Sequence, residues 1–197
     1  GGLLSFVLNF LYGDSKLFLI IALLSVASAI VLFGNYCYRA YQQRIRKKVD
    51  EQMRISLLSV LMMLIPVIFL VVIITLLMIS NKENVSLIIS YGFIIFFGWI
   101  TAIILGMTFK TLPFIVWNKV YHKLVENGKT PNPKDLFSNV IVRYMSITYI
   151  FGFVLFVMGI LINSIVILQV ATGLLLITSI LYNWNVVKLL MHKPVLL

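Results

Sequence analysis

Five long apolar runs, parted by short polar or basic segments, organise this sequence. They cover 17–38, 55–79, 85–109, 140–162 and 165–187. A bilayer core about 30 Å thick is crossed by roughly 20 residues of apolar helix, so each run predicts one transmembrane span. No Asp, Glu or Lys interrupts them, and Arg143 lies one turn inside the fourth, within reach of the headgroups. The pattern predicts an all-α polytopic transmembrane helical bundle, a single transmembrane domain over 1–197. Leu3–Tyr12 is also apolar but too short to span, and reads as part of a sixth span or as an interfacial segment.

The connections alternate in length. Ser80–Asn84 and Asn163-Ser164 are short, which makes spans two and three, and four and five, antiparallel hairpins. The connection after span three is longer and amphipathic. Val116, Trp117, Val120, Tyr121 and Leu124 share one face, and Lys119, His122, Lys123 and Glu126 the other. This predicts an interfacial helix over about 110–127 lying on the membrane surface, with a partner docking surface as the alternative. Gly128 ends it, and Thr130-Pro131-Asn132-Pro133 turns the chain back.

Composition removes the other classes. Hydrophobic residues make up 61% of the chain and charged residues 11%, against roughly 45–50% and about 25% in soluble domains. A chain of 197 residues cannot hide that apolar surface from water, which excludes a soluble domain, a disordered chain and a coiled coil. The single cysteine, Cys37, excludes an intrachain disulfide. The net charge of +10 is the one feature that suggests nucleic acid, and its placement argues otherwise. Thirteen of the 16 Lys and Arg lie in the connections after spans one and three and in the tail, and Arg143 lies one turn from the same side; only Lys16 and Lys82 lie on the other side. By the positive-inside rule the basic side faces the cytoplasm, the carboxy terminus included. The lack of disulfides suggests a bacterial inner membrane. The sequon Asn84-Val85-Ser86 is too close to the bilayer to count as a glycan site.

Candidate functional residues are few. Arg44, Arg46, Lys47 and Lys48 follow span one, either as a topology signal or as a contact with anionic lipid headgroups. Pro66 removes a hydrogen bond in mid-span two and predicts a kink. Gly98, Ala102 and Gly106 are spaced by four and form a ridge without large side chains. Such a ridge admits another helix, or alternatively the edge of a flat cofactor. Span five is the most polar, and Gln169, Thr172 and Asn183 are expected to hydrogen-bond to a neighbouring helix, or else to line a solute path. His122 and His192 read as solvated histidines at the inner boundary. No nucleophile–base pair, phosphate-cradling glycine loop or intramembrane carboxylate is present, so no catalytic or metal-ligating residue is assigned.

The stretch Tyr91-Gly-Phe-Ile-Ile-Phe-Phe-Gly-Trp-Ile-Thr-Ala-Ile-Ile-Leu-Gly-Met-Thr-Phe-Lys-Thr-Leu-Pro113 resembles a span of bacterial membrane proteins related to haem–copper oxidase subunit I, including NnrS-type proteins. There a His-x-His pair is followed by two glycines and a proline, and Gly98, Gly106 and Pro113 fit that spacing. Trp99, Lys110 and the following Phe-Ile-Val-Trp are also similar, and the likeness runs through Tyr121. Tyr91 and Phe93 stand where the histidines would be, and neither ligates haem iron as histidine does. The resemblance implies the carboxy-terminal half of such a protein, or a relative without metals. The start at Gly1-Gly2 reads as a mature, tagged or truncated terminus. No cofactor is expected from this chain, and haem or copper is expected only if an amino-terminal half is missing. The expected function is a non-catalytic subunit or half of a respiratory haem–copper oxidase-like protein, with a small-solute transporter or channel component as the alternative. The expected partners are a bilayer with anionic headgroups and other membrane subunits, and no nucleic acid.

Overall fold

The computed structural model describes residues 2–12, 16–43, 51–80, 84–122 and 130–194. The described residues are almost entirely helical, without strands. Five helices are long and apolar enough to cross a bilayer: Ile20–Gln42, Met53–Leu76, Val85–Tyr121, Asn139–Ile162 and Ile165–Leu190. The protein is an integral membrane protein built as a helical bundle. The basic cluster at Arg44, Arg46, Lys47 and Lys48 lies outside the described residues, as does 123–127 of the expected interfacial helix.

The apolar segment near the start forms α1 (Gly2–Tyr12) and packs along α2 (Lys16–Gln42). Gly2 lies directly against Ser25 of α2, so the two helices run antiparallel. α2 itself is only lightly attached to the rest, and Gly34 meets Leu64 at the contact.

The second span is two helices, α3 (Glu51–Met62) and α4 (Leu64–Ser80), parted at Met63. The cause is Pro66. It has no N–H to give the carbonyl of Met62, and its ring crowds that carbonyl. Met63 still donates its N–H to Ser59 at 3.0 Å, so the interruption is confined to one turn.

The third span comprises α5 (Val85–Phe93), a π-helical turn (Ile94–Ile100) and α6 (Thr101–Tyr121) in unbroken succession. Thirty-seven residues of helix measure about 55 Å, well beyond the hydrocarbon thickness. Residues 110–121 of the expected surface helix thus continue the helix of the third span instead of starting a new one. Pro113 sits buried inside α6 without ending it. The apolar face at Val116 and Tyr121 is covered by Leu136 and Leu189 of this chain and not by lipid headgroups.

α7 (Asn139–Ile162) and α8 (Ile165–Leu190) make the most extensive helix pair among the described residues. Gly152 and Gly159 allow it. A Cβ at Gly159 would stand 2.9 Å from Leu168 side-chain atoms, and one at Gly152 would stand 3.1 Å from Leu175. The turn between them is closed by Asn163, whose φ of 56° is left-handed. The Ser164 N–H reaches the Gly159 carbonyl at 3.0 Å and the Asn163 N–H reaches Ile160 at 3.2 Å, which satisfies the last carbonyls of α7. On the facing side of α8, Ala171, Thr178, Asn185 and Leu189 are buried. They lie seven, seven and four residues apart, one stripe of the helix.

Candidate functional site

Two places concentrate polar and aromatic chemistry. The first is the π-helical turn, mid-way through the third span. Val85 is nine residues before Ile94, about 14 Å of helix. At the end of the turn Thr101 gives its N–H to the Phe96 carbonyl five residues back, and its hydroxyl to the same oxygen at 2.8 Å. The Tyr149 hydroxyl reaches across from α7 and donates to the carbonyls of Phe97 and Gly98, the latter at 3.2 Å. One proton is shared between two acceptors, which pins α7 to the wide turn.

An aromatic stack lines that turn. Phe93 lies parallel to Phe156 at 4.2 Å, to Phe97 at 4.8 Å and to Phe153 at 5.8 Å. Phe93 is one of the two positions where the resemblance implies histidine, and here it is the hub of a carbon-on-carbon contact. Ser90, one turn earlier, is fully buried, and its hydroxyl has no hydrogen-bond partner among the described residues.

Gly98, Ala102 and Gly106 are all buried along this helix. A Cβ at Gly98 would stand 3.0 Å from the Phe153 ring, so that ring occupies the ridge there. Ala102 belongs to the same core cluster as Ile55 and Met62 of α3. α3 also presents Ser56 and Ser59 to the interior, and the Ser59 hydroxyl bonds back to the Ser56 carbonyl at 2.7 Å. The ridge is thus filled by this chain. Pro66 is buried too, one turn beyond Met62.

The second place is the end of the bundle where α6, the connection to α7 and the end of α8 meet. Trp117 gives its indole N–H to the Pro131 carbonyl at 2.6 Å. The Tyr121 hydroxyl pairs with His192 Nε2 at 2.8 Å. His192 is therefore not a freely solvated histidine. The chain turns after Leu190 and brings the imidazole onto the end of α6, while His122 remains exposed. Asn185 bonds both the N–H and the carbonyl of Ser138, and the Ser138 side chain in turn caps α7 by accepting from Ile141 N–H.

The polar residues of α8 divide differently from the expectation. Gln169, Thr172 and Asn183 are exposed on its outer side. Thr172 bonds back to Leu168 at 2.7 Å and Asn183 to Ser179 at 2.8 Å, both within α8. Within this chain the helix-to-helix bonds are made by other residues. Thr178 pairs with Thr148 at 2.9 Å, and Tyr182 with Thr108 at 3.2 Å. Thr178 and Asn185 share a stripe with the small Ala171, and that seven-residue step was the available sequence signal.

Among the described residues, no three His, Cys, Asp or Glu side chains lie close enough together to share a metal ion. Comparison of the chain with protein families, with curated proteins and with solved structures finds no match.

Proposed function

We propose that this chain is a non-catalytic membrane subunit, or the non-catalytic half of a larger protein, in a haem–copper oxidase-like assembly of a bacterial inner membrane. The observation that carries the reading is Phe93. At a position where the resemblance of 91–121 implies a metal ligand, the side chain is stacked on Phe97, Phe153 and Phe156. The neighbouring polar groups point the same way. Tyr149, Thr178 and Asn185 bond other helices or connections of the chain, which is scaffold work. The basic side faces the cytoplasm and contacts anionic headgroups. The test is purification from the native membrane in mild detergent, with intact masses and haem measured on the same sample. A haem-bearing partner, or a longer polypeptide that includes this chain, supports the reading. Stoichiometric haem on this chain alone overturns it.

A second reading has one specific observation in its favour. The break at Met63 and the π-helical turn lie against each other in the bundle, since both α3 and α4 pack on 94–100. Interrupted helices meeting inside a membrane are the usual setting of a transport site. The spans hold no carboxylate, so a neutral solute is the fitting cargo. Swelling of vesicles containing the protein in glycerol or urea tests this, and a rate equal to that of empty vesicles removes it.

A further inference from the structure

The second and third spans are interrupted where they meet. α3 and α4 part at Met63, just before Pro66, and both pack on the π-helical turn at 94–100. Each span is thereby cut into two pieces, an inner one towards the basic connections and an outer one away from them. The inner pieces, α3 and α6, pack extensively on one another, and Ile55 and Met62 share a core cluster with Ala102, Leu105 and Phe109. Thr108 and Tyr121 tie α6 further to Tyr182 of α8 and to His192. The outer pieces, α4 and α5, also pack on one another, and only 81–84 separates them in sequence. A proline and a π-helical turn are two of the few places where a long helix bends sharply.

We infer that α4 and α5 swing as one body about these paired hinges, a gate on the side of the bundle away from the basic connections. In the structure the gate is shut. The Phe93 ring stacks on Phe153 and Phe156 of α7, the Ser86 hydroxyl donates to Asn163 Oδ1 at 3.2 Å, and Tyr149 braces the hinge itself. The brace has a specific cause. Passing from five-back to four-back bonding skips one carbonyl, and with the Thr101 N–H on Phe96 that carbonyl is Phe97. The Tyr149 hydroxyl donates to it, so the bonding of the wide turn is complete only against α7. Ser90 marks a cost of the shut position, since its buried hydroxyl has no partner among the described residues. Parting α5 from α7 lets water reach both the Phe97 carbonyl and the Ser90 hydroxyl. It also uncovers the π-helical turn and the break at Met63, where the transport reading places its solute. The inference rests on that reading for what passes the gate, and on the hinges alone for the motion.

The test is a pair of spin-label distances, measured by double electron–electron resonance on the full chain in lipid nanodiscs, in a Cys37→Ser background. Ile79→Cys with Ile162→Cys spans the gate, and Ile115→Cys with Tyr144→Cys spans the inner half; all four positions are exposed. A longer distance should stand beside the short one for the gate pair, and the inner pair should give a single distance. Tyr149→Phe strands the Phe97 carbonyl in the shut position and should raise the longer population about two- to tenfold, the range for one net hydrogen bond. Adding Pro66→Ala joins α3 to α4 and should return the gate pair to the short distance alone. Helix content reports whether each variant folds. A single distance for the gate pair in the wild type and in every variant that folds overturns the proposal, as does a second distance shared by the inner pair. Vesicle swelling tests the transport reading separately. Swelling with one fixed gate distance removes the gate and keeps that reading, and two gate distances without swelling keep the gate and remove that reading.

Discussion

The Asn185 carboxamide bonds both backbone groups of Ser138. Its Oδ1 accepts from the Ser138 N–H at 3.0 Å, and its Nδ2 donates to the Ser138 carbonyl at 3.1 Å. Asn185 is fully buried, and the residue it holds is the N-cap of α7. The Ser138 carbonyl also accepts from the Val142 N–H at 3.2 Å, so the Ser138 N–H is the group that depends on Asn185. Asn185→Leu keeps the branched shape of the side chain and strands the Ser138 N–H. Stranding such groups costs about 1–3 kcal/mol, so the detergent-solubilised variant should melt clearly below the wild type. An unchanged melting point would mean that water reaches the Ser138 peptide.

The Tyr149 hydroxyl should matter in the same way at the π-helical turn. Tyr149→Phe preserves the ring contact with Phe153 and removes only the donor to the Phe97 and Gly98 carbonyls. The expected loss is about 1–2 kcal/mol. Amide hydrogen exchange should rise locally over 94–101, where the wide turn loses its brace. Uniform acceleration across all helices would show instead that the hydroxyl supports the whole bundle.

How far the fold was legible depends on what each signal contains. Runs of about 20 apolar residues announce spans whatever their packing, and a two-residue polar break such as Asn163-Ser164 leaves no geometry but a hairpin. The π-helical turn is different. Ile94–Ile100 is apolar all round, so its periodicity does not distinguish 4.4 from 3.6 residues per turn. The extension of α6 was hidden for another reason. The face carrying Val116 and Tyr121 is equally suited to headgroups and to protein, and Leu136 and Leu189, which cover it, are distant in sequence. On α8, Asn183 and Asn185 are chemically identical and two residues apart. Only the helix phase set by Ala171 and Thr178 separates the outward one from the buried one.

Two glycines should respond to alanine with opposite signs. At Gly159 the new Cβ would lie 2.9 Å from Leu168 side-chain atoms and 3.2 Å from its backbone nitrogen, so α7 and α8 must part. Overpacking of this kind costs about 1–3 kcal/mol. At Gly92 nothing lies within 4 Å, and the position is inside a helix. There alanine removes backbone freedom from the unfolded chain and should stabilise by about 0.5–1 kcal/mol. Thermal melts of Gly159→Ala and Gly92→Ala in one detergent compare the two directly. Movement in the same direction would contradict the packing of the hairpin.

Pro66→Ala separates the two functional readings. Alanine restores the N–H that the Met62 carbonyl lacks and removes the ring that crowds it, so α3 and α4 should join into one helix through Met63. The gain in backbone hydrogen bonding is about 1 kcal/mol, set against the loss of a buried ring in the core. In a scaffold, the variant should assemble with its partners as the wild type does, because the surfaces that meet them are unaltered. In a transporter, closing the break beside the π-helical turn should abolish vesicle swelling while the protein stays folded. Co-purification and swelling measured on the same variant therefore give opposite patterns. Loss of assembly in a folded Pro66→Ala protein would count against the scaffold.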